Sequence, residues 1–337
     1  MPVETELRRT TITQARALWM DAPGVAKLRA TGLRDPGPGQ ALVAMLWSGI
    51  SRGTERLIFE GRVPASEMER MRAPLQEGEF PFPVKYGYCA VGRVEAGPSA
   101  WLGQNVFCLH PHQDRFVAPL DMLCAIPDTV APRRATLAAN METALNGLWD
   151  SGAGPGDSVV VVGAGVLGLL VAALAAKLPG TDVTVIDAEP SRAAIAEKMG
   201  ARFMDAATFG ETCRDSADVV FHASATEAGL ALALACAGFE ATIVEMSWYG
   251  DKPIAAPLGG GFHANRLRLI SSQVGHVSPT RRARWPLSRR LAKALELLAD
   301  DRFDSLITEE VEFGDLAREM PRILAPRAQG LATVVRY

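Results

Sequence analysis

Residues 158–168 read SVVVVGAGVLG, and with LLVAALAA (169–176) they form an uncharged stretch of 19 residues. That is nearly long enough to cross a bilayer. Its texture argues otherwise: a β-branched run, three glycines and then an alanine-rich segment ending at Lys177 and Pro179 predict a strand, a tight turn and a buried helix. Gly163, Gly165 and Gly168 form GxGxxG at the junction, and Asp187 ends the next apolar run 24 residues after Gly163. Each position has its own physical reason. Gly163 permits the turn, Gly165 lets the backbone approach a pyrophosphate, and Gly168 lets helix pack on strand. Val166 and Leu167 open the helix, whose free N–H groups and partial positive charge face the phosphates. A carboxylate at Asp187 accepts hydrogen bonds from ribose hydroxyls and repels a 2′-phosphate, which favours NAD; nearby Arg192 tempers that preference and keeps NADP as the alternative.

Outward from this motif, strands are predicted at 182–187, 202–204, 218–222 and 240–246, with helices at 165–178, 190–199 and 226–236. Such alternation implies a doubly wound parallel sheet with helices on both faces, an α/β class known as the Rossmann arrangement. The first third differs. Residues 39–50 and 84–96 are strand-like, and Gly97-Pro98, Pro111 and Pro119 cut the region into short pieces. A helical stretch at 131–150 leads into the parallel sheet, a basic helical stretch is expected at 280–299, and 306–313 and 331–337 return to strand.

The 337 residues predict about two domains, since a domain takes roughly 100 to 200 residues. With 35 basic and 38 acidic residues the net charge is −3, without the basic excess that a nucleic-acid phosphate backbone demands. The run RRARWPLSRRLAK (281–293) alternates with Leu291, Leu295 and Leu298 and reads as the solvated face of an amphipathic helix. Cys89, Cys108, Cys124, Cys213 and Cys236 are odd in number and never spaced as CxxC, which points to a reducing compartment. Residues 1–17 are mixed polar and carry no secretory pattern, so the expectation is a cytoplasmic protein without membrane or nucleic-acid partners.

WSGISRGTE (47–55), KYGYCAVGRVEAG (85–97), GQNV (103–106), PGDSVVVVGAGVLG (155–168) and DVVFHASA (218–225) together resemble the medium-chain dehydrogenase/reductase superfamily. SGISRGTE followed by LHPHQDRFVAP (109–119) is most similar to the branch that contains the bacteriochlorophyllide dehydrogenases. The resemblance implies a GroES-like catalytic domain from 1–127 plus 276–337, into which a Rossmann domain, 128–275, is inserted. It also implies a homodimer and a small-molecule substrate.

In zinc-dependent relatives, ligands stand where this chain has Ser51, Tyr88 and Cys89, and Ala139. Hydroxyls and a methyl cannot replace thiolate, imidazole and carboxylate, so no zinc is expected. Cys108, His110 and His112, joined by Cys89, are the rival ligands for a displaced metal; Pro111 makes their segment a loop, which disfavours it. Without zinc, Tyr88 is the first candidate proton donor and Ser51 the second, with His110 or His112 as relays. By family position Arg52 reaches the pyrophosphate, Thr143 contacts the cofactor, and Ser224, Ala225 and Ser247 border it at the carboxyl edge of the sheet. Trp248 and Tyr249 are candidates to wall a flat substrate. The implied activity is hydride exchange with a carbonyl, alcohol or enone. The alternatives are a bacteriochlorophyllide-type alcohol dehydrogenase and a non-catalytic nucleotide-sensing relative.

Overall fold

The computed structural model describes residues 13–208 and 215–337. Residues 1–12, which hold most of the segment read for a secretory signal, and Cys213 lie outside the described residues. In chain order the strands of the first part are β1 (Thr13–Ala22), β2 (Val25–Leu33), β3 (Gln40–Ile50), β4 (Glu77–Gly78), β5 (Val84–Lys85), β6 (Ala90–Ala96), β7 (Asn105–Cys108), β8 (Arg115–Pro119) and β9 (Leu123–Ala125). Helix α1 (Arg52–Phe59) follows β3 directly. Then come α2 (Pro132–Ala135), α3 (Ala138–Ser151), β10 (Ser158–Val162), α4 (Val166–Ala175), β11 (Asp182–Asp187), α5 (Ala193–Lys198) and β12 (Arg202–Asp205). The chain continues through β13 (Ala217–His222), α6 (Glu227–Cys236), β14 (Ala237–Glu245), α7 (Gly261–Ala264) and β15 (Arg268–Ser271). It ends with α8 (Leu287–Leu297), β16 (Ile307–Glu312), α9 (Leu316–Ile323) and β17 (Ala332–Arg336).

Three sheets result. The six-stranded sheet has the order β12-β11-β10-β13-β14-β15, and every pairing in it is parallel. Parallel strands covered on both faces read as continuous apolar runs, and Val159 to Val162 are all buried for that reason. The order reverses between β10 and β13, which is where ligands bind in such sheets. The seven-stranded sheet runs β16-β17-β3-β6-β7-β9 with β8 also on β3, so the final strand returns to the first part of the chain. A four-stranded antiparallel sheet, β2-β1-β5-β4, completes the β-rich part.

The uncharged 158–176 stretch is thus β10, a glycine turn and α4. Among the described residues no helix is long and apolar enough to cross a membrane.

The strand-like run 84–96 forms two strands, β5 and β6, parted at 86–89, where Gly87, at φ 131°, and Tyr88 turn away from the ladder. Gly87 cannot be replaced there, because a Cβ would sit 2.9 Å from the His112 ring. The basic stretch is helical only over Leu287–Leu297, and its Arg290 is not solvated. Arg290 is 1% exposed and reaches Glu142 (3.0 Å) and Asn146 (2.6 Å) on α3, together with the carbonyls of Val274 and His276. Glu142 is therefore an anchor for α8.

Candidate active site and cofactor cradle

The glycines occupy the geometry that their spacing requires. Gly163 has φ 111°, and a Cβ on it would lie 2.9 Å from the backbone nitrogen of Ser224. A Cβ on Gly168 would lie 2.0 Å from the Gly163 carbonyl oxygen. Gly165 caps α4 in extended conformation, and nothing lies within 4 Å of where its Cβ would be. The open side of Gly165 beside the helix start is a cradle shaped for an anion. Asp187 closes the far side: its carboxylate accepts from the N–H of Ala164 (2.5 Å) and of Glu189 (2.9 Å).

Arg52 and Arg192 converge on the loop before β17. Arg52 donates to the carbonyls of Ala328 (3.3 Å), Gln329 (2.7 Å) and Gly330 (3.1 Å), and Arg192 donates to that of Gly330 (2.8 Å). Burial and the neighbouring Arg192 both pull the Arg52 pKa down, with Glu309 opposing. Thr143 spends its hydroxyl on the Ala139 carbonyl one turn earlier (2.8 Å). Ser247 accepts from the N–H of Ala225 (3.1 Å), which ties the loops after β13 and β14 together. Trp248 packs on the apolar cluster around Leu18, Ile50 and Ile58, so it joins the two parts of the chain.

The structure brings Ser51 and Tyr88 together. The break at 86–89 turns Tyr88 toward the start of α1, where the side chains of Ser51 and Thr54 lie close enough to act on its phenol. Burial raises the Tyr88 pKa, and Cys89 adds to the rise; the bonds from Ser51 and Thr54 act against it. A phenol in this setting stays protonated at neutral pH with two hydroxyl side chains nearby, which suits a hydrogen-bond donor to a carbonyl.

Beneath this pair runs a buried chain of polar groups. Glu55 is fully buried; one carboxylate oxygen accepts from the Ser51 N–H (2.8 Å) and the other meets His112 Nε2 (3.1 Å). His112 Nδ1 lies 2.7 Å from Ser48 Oγ, which in turn lies 2.9 Å from the Tyr337 hydroxyl. Thr54 and Glu55 were missed in the sequence. The available signal was the Ser-x-x-Thr-Glu spacing at a helix start, where a side chain can bond back to the cap.

His110 is not brought to the site, which corrects its expected role as a relay. It is buried, stacked on Phe116 at 3.9 Å and bonded through Nδ1 to the Pro111 carbonyl (2.8 Å). Burial and the nearby Lys85 push its pKa down to about 3, so the ring stays neutral. This group carries its proton more readily in the unfolded chain, so stability falls as pH drops from about 6.5 toward 3. Urea unfolding of His110→Gln at several pH values is expected to show a shallower loss across that window; an unchanged slope contradicts the assignment. Among the described residues no three of His, Cys, Asp or Glu gather where they could hold a metal ion. Cys108, its thiol pushed up to about 12 by burial, belongs to an apolar cluster with Val43 and Phe116.

Residues 138–239 match the family model of the alanine dehydrogenase/PNT C-terminal domain. L-idonate 5-dehydrogenase from Escherichia coli K-12 superposes with a TM-score of 0.80 at 14% identity, covering 97% of this chain and 99% of its own. The chain shares the fold of this dehydrogenase. A dehydrogenase of Sinorhizobium meliloti 1021, described as zinc-binding and solved with NADP, has the same fold with a TM-score of 0.77 at 19% identity, over 96% of this chain and 100% of its own. In sequence, 2-desacetyl-2-hydroxyethyl bacteriochlorophyllide A dehydrogenase of Rhodobacter capsulatus is 28% identical over 200 residues, or 53% of this chain. That match spans 58% of the length of the curated relative.

Proposed function

We propose that this chain is a medium-chain dehydrogenase/reductase, an NAD(P)-dependent oxidoreductase that exchanges hydride with a carbonyl, alcohol or enone substrate without zinc. The observation that carries the reading is the cradle: Gly163, Gly165 and Gly168 at the switch point of a parallel sheet, with Asp187 at the end of the next strand. The N–H groups of Val166 and Leu167 and the open side of Gly165 would hold the pyrophosphate, with Arg52 and Arg192 adding positive charge. Asp187 would take the adenosine ribose, which favours NAD. Thr143, Ser224, Ala225 and Ser247 would line the remainder of the groove within residues 128–275. The nicotinamide ring would supply or accept the hydride.

Tyr88 acts on the oxygen. Its hydroxyl donates to the substrate carbonyl, and Ser51 and Thr54 stabilise the charge that gathers on the phenol oxygen as the proton moves. Glu55, by holding the Ser51 N–H, fixes the start of α1 under this pair. The donor set supports a reading without zinc, since Ser51, Tyr88 and Ala139 supply no thiolate, imidazole or carboxylate. Cysteine usage favours the cytoplasm. The homodimer is carried over from the resemblance. A second reading, a large planar substrate, draws on the Rhodobacter relative.

The test is turnover, followed through the absorbance of the reduced cofactor, across carbonyl, alcohol, quinone and chlorophyllide panels. With any substrate that turns over, Tyr88→Phe is expected to lower kcat by about a hundredfold or more, the range of general acid catalysis. Unchanged kcat removes Tyr88 from the mechanism. NAD(P)H binding without turnover on any panel would favour the nucleotide-sensing alternative.

A further inference from the structure

A second polar centre lies at the carboxyl edge of the parallel sheet. His222 and Glu245 are the last residues of β13 and β14 and are register partners, each following a run of apolar residues, Val219 to Phe221 and Ile243 to Val244. His222 is fully buried, and both ring nitrogens are engaged. Nδ1 lies 2.7 Å from Glu245 Oε2, and Nε2 lies 2.7 Å from Ser224 Oγ. The Tyr249 hydroxyl donates to the same carboxylate oxygen (3.0 Å), and the Ser247 N–H donates to Oε1 (2.8 Å). Ser224 is only partly buried and stands on the loop between β13 and α6, so the outer end of this chain of groups is reachable from the groove.

Hydroxyl, imidazole and carboxylate in series make a proton-accepting unit. The carboxylate steadies an imidazolium, and the serine links the ring to whatever lies outside. Glu245 and Tyr249 are the titratable groups that touch His222; β10 presents Val162 to it, and α6 presents Gly229. Although burial opposes it, the bonds from His222 and Ser247 hold the Glu245 carboxyl below its ordinary value, so the unit keeps its negative end.

We propose that Ser224, His222 and Glu245 form a proton-linked binding site for the nicotinamide half of the dinucleotide, one that distinguishes its oxidised from its reduced form. This rests on the cofactor reading above, which lays that half of the ligand over the ends of β13 and β14. The oxidised ring is a cation and the reduced ring is neutral. A cation held over this edge opposes a proton on His222, so the oxidised form binds best when the imidazole is neutral and Ser224 donates to Nε2. His222 and Glu245 are positioning residues in this scheme, and Ser224 is the contact.

The experiment measures the dissociation constants of NAD+ and NADH separately by calorimetry, from about pH 5 to about pH 8. In the natural chain the affinity for NAD+ relative to NADH is expected to rise about fivefold or more across that range, as one linked proton requires. Glu245→Gln is nearly isosteric and removes the charge that supports the imidazolium; with it, and with His222→Asn, the ratio is expected to become flat. Retained NADH binding shows that each variant is folded, and a variant that does not bind NADH is replaced by Ser224→Ala, which is expected to reduce the slope. No slope in the natural chain, or the same slope in the variants, overturns the proposal and leaves the cofactor reading standing. No binding of either form overturns both.

Discussion

Arg290→Ala is expected to be strongly destabilising, lowering the unfolding free energy by about 3–5 kcal/mol. The cost arises less from the lost ion pair than from what stays behind. Glu142 is buried, and burial already pushes its carboxyl up, with Arg290 as the partner that pulls it back. Asn146 and the Val274 and His276 carbonyls lose the same donor. The companion Arg290→Met with Glu142→Gln should recover part of the loss, because an uncharged pair leaves no buried charge unpaired. Urea denaturation of the three proteins checks this. A loss below about 1 kcal/mol, the usual range of an exposed ion pair, would mean that α8 is held by its leucines alone.

Gly168→Ala is expected to impair both the fold and the cofactor. The added Cβ would meet the Gly163 carbonyl at 2.0 Å, so the start of α4 must move away from β10. Overpacking of this kind costs about 1–3 kcal/mol. If that strain falls on the cradle, affinity for NADH drops about tenfold to a hundredfold, at about 1.4 kcal/mol per factor of ten. Gly165→Ala separates the two roles. Its φ of −76° suits alanine and its Cβ meets nothing, so Tm should hold while the methyl enters the cradle and NADH affinity falls. Equal Tm losses in both variants would contradict the division of labour among the glycines.

The parallel sheet was legible because its determinants are local. The β-branched run before Gly163 and the alanine-rich run after Gly168 specify strand and helix without outside help. The break in 84–96 was not legible, since Tyr86 and Tyr88 suit a strand and only Gly87, pressed against the His112 ring, marks the turn. Arg290 looked solvated because its sequence neighbours are charged, while its partners Glu142 and Asn146 lie 148 and 144 residues away. The same distance effect hid the His112 chain: Glu55 is 57 residues from His112, and Tyr337 is 289 from Ser48. His222 and Glu245 read as strand ends, and their pairing needed the register of β13 against β14. Among the site residues, the glycines and Asp187 have a spacing rule, whereas Tyr88, Ser51 and Thr54 meet through a turn that no local pattern encodes.

Residues 163–168 and Asp187 are expected to form a working dinucleotide cradle. Equilibrium titration of the purified chain with NADH and NADPH, followed by quenching of its tryptophans, tests it most directly. Saturable binding of one NADH per chain in the micromolar range is expected, tighter than NADPH, with the preference lost in Asp187→Ala. Absence of binding by either nucleotide at millimolar concentration, from a chain that unfolds cooperatively, would contradict it.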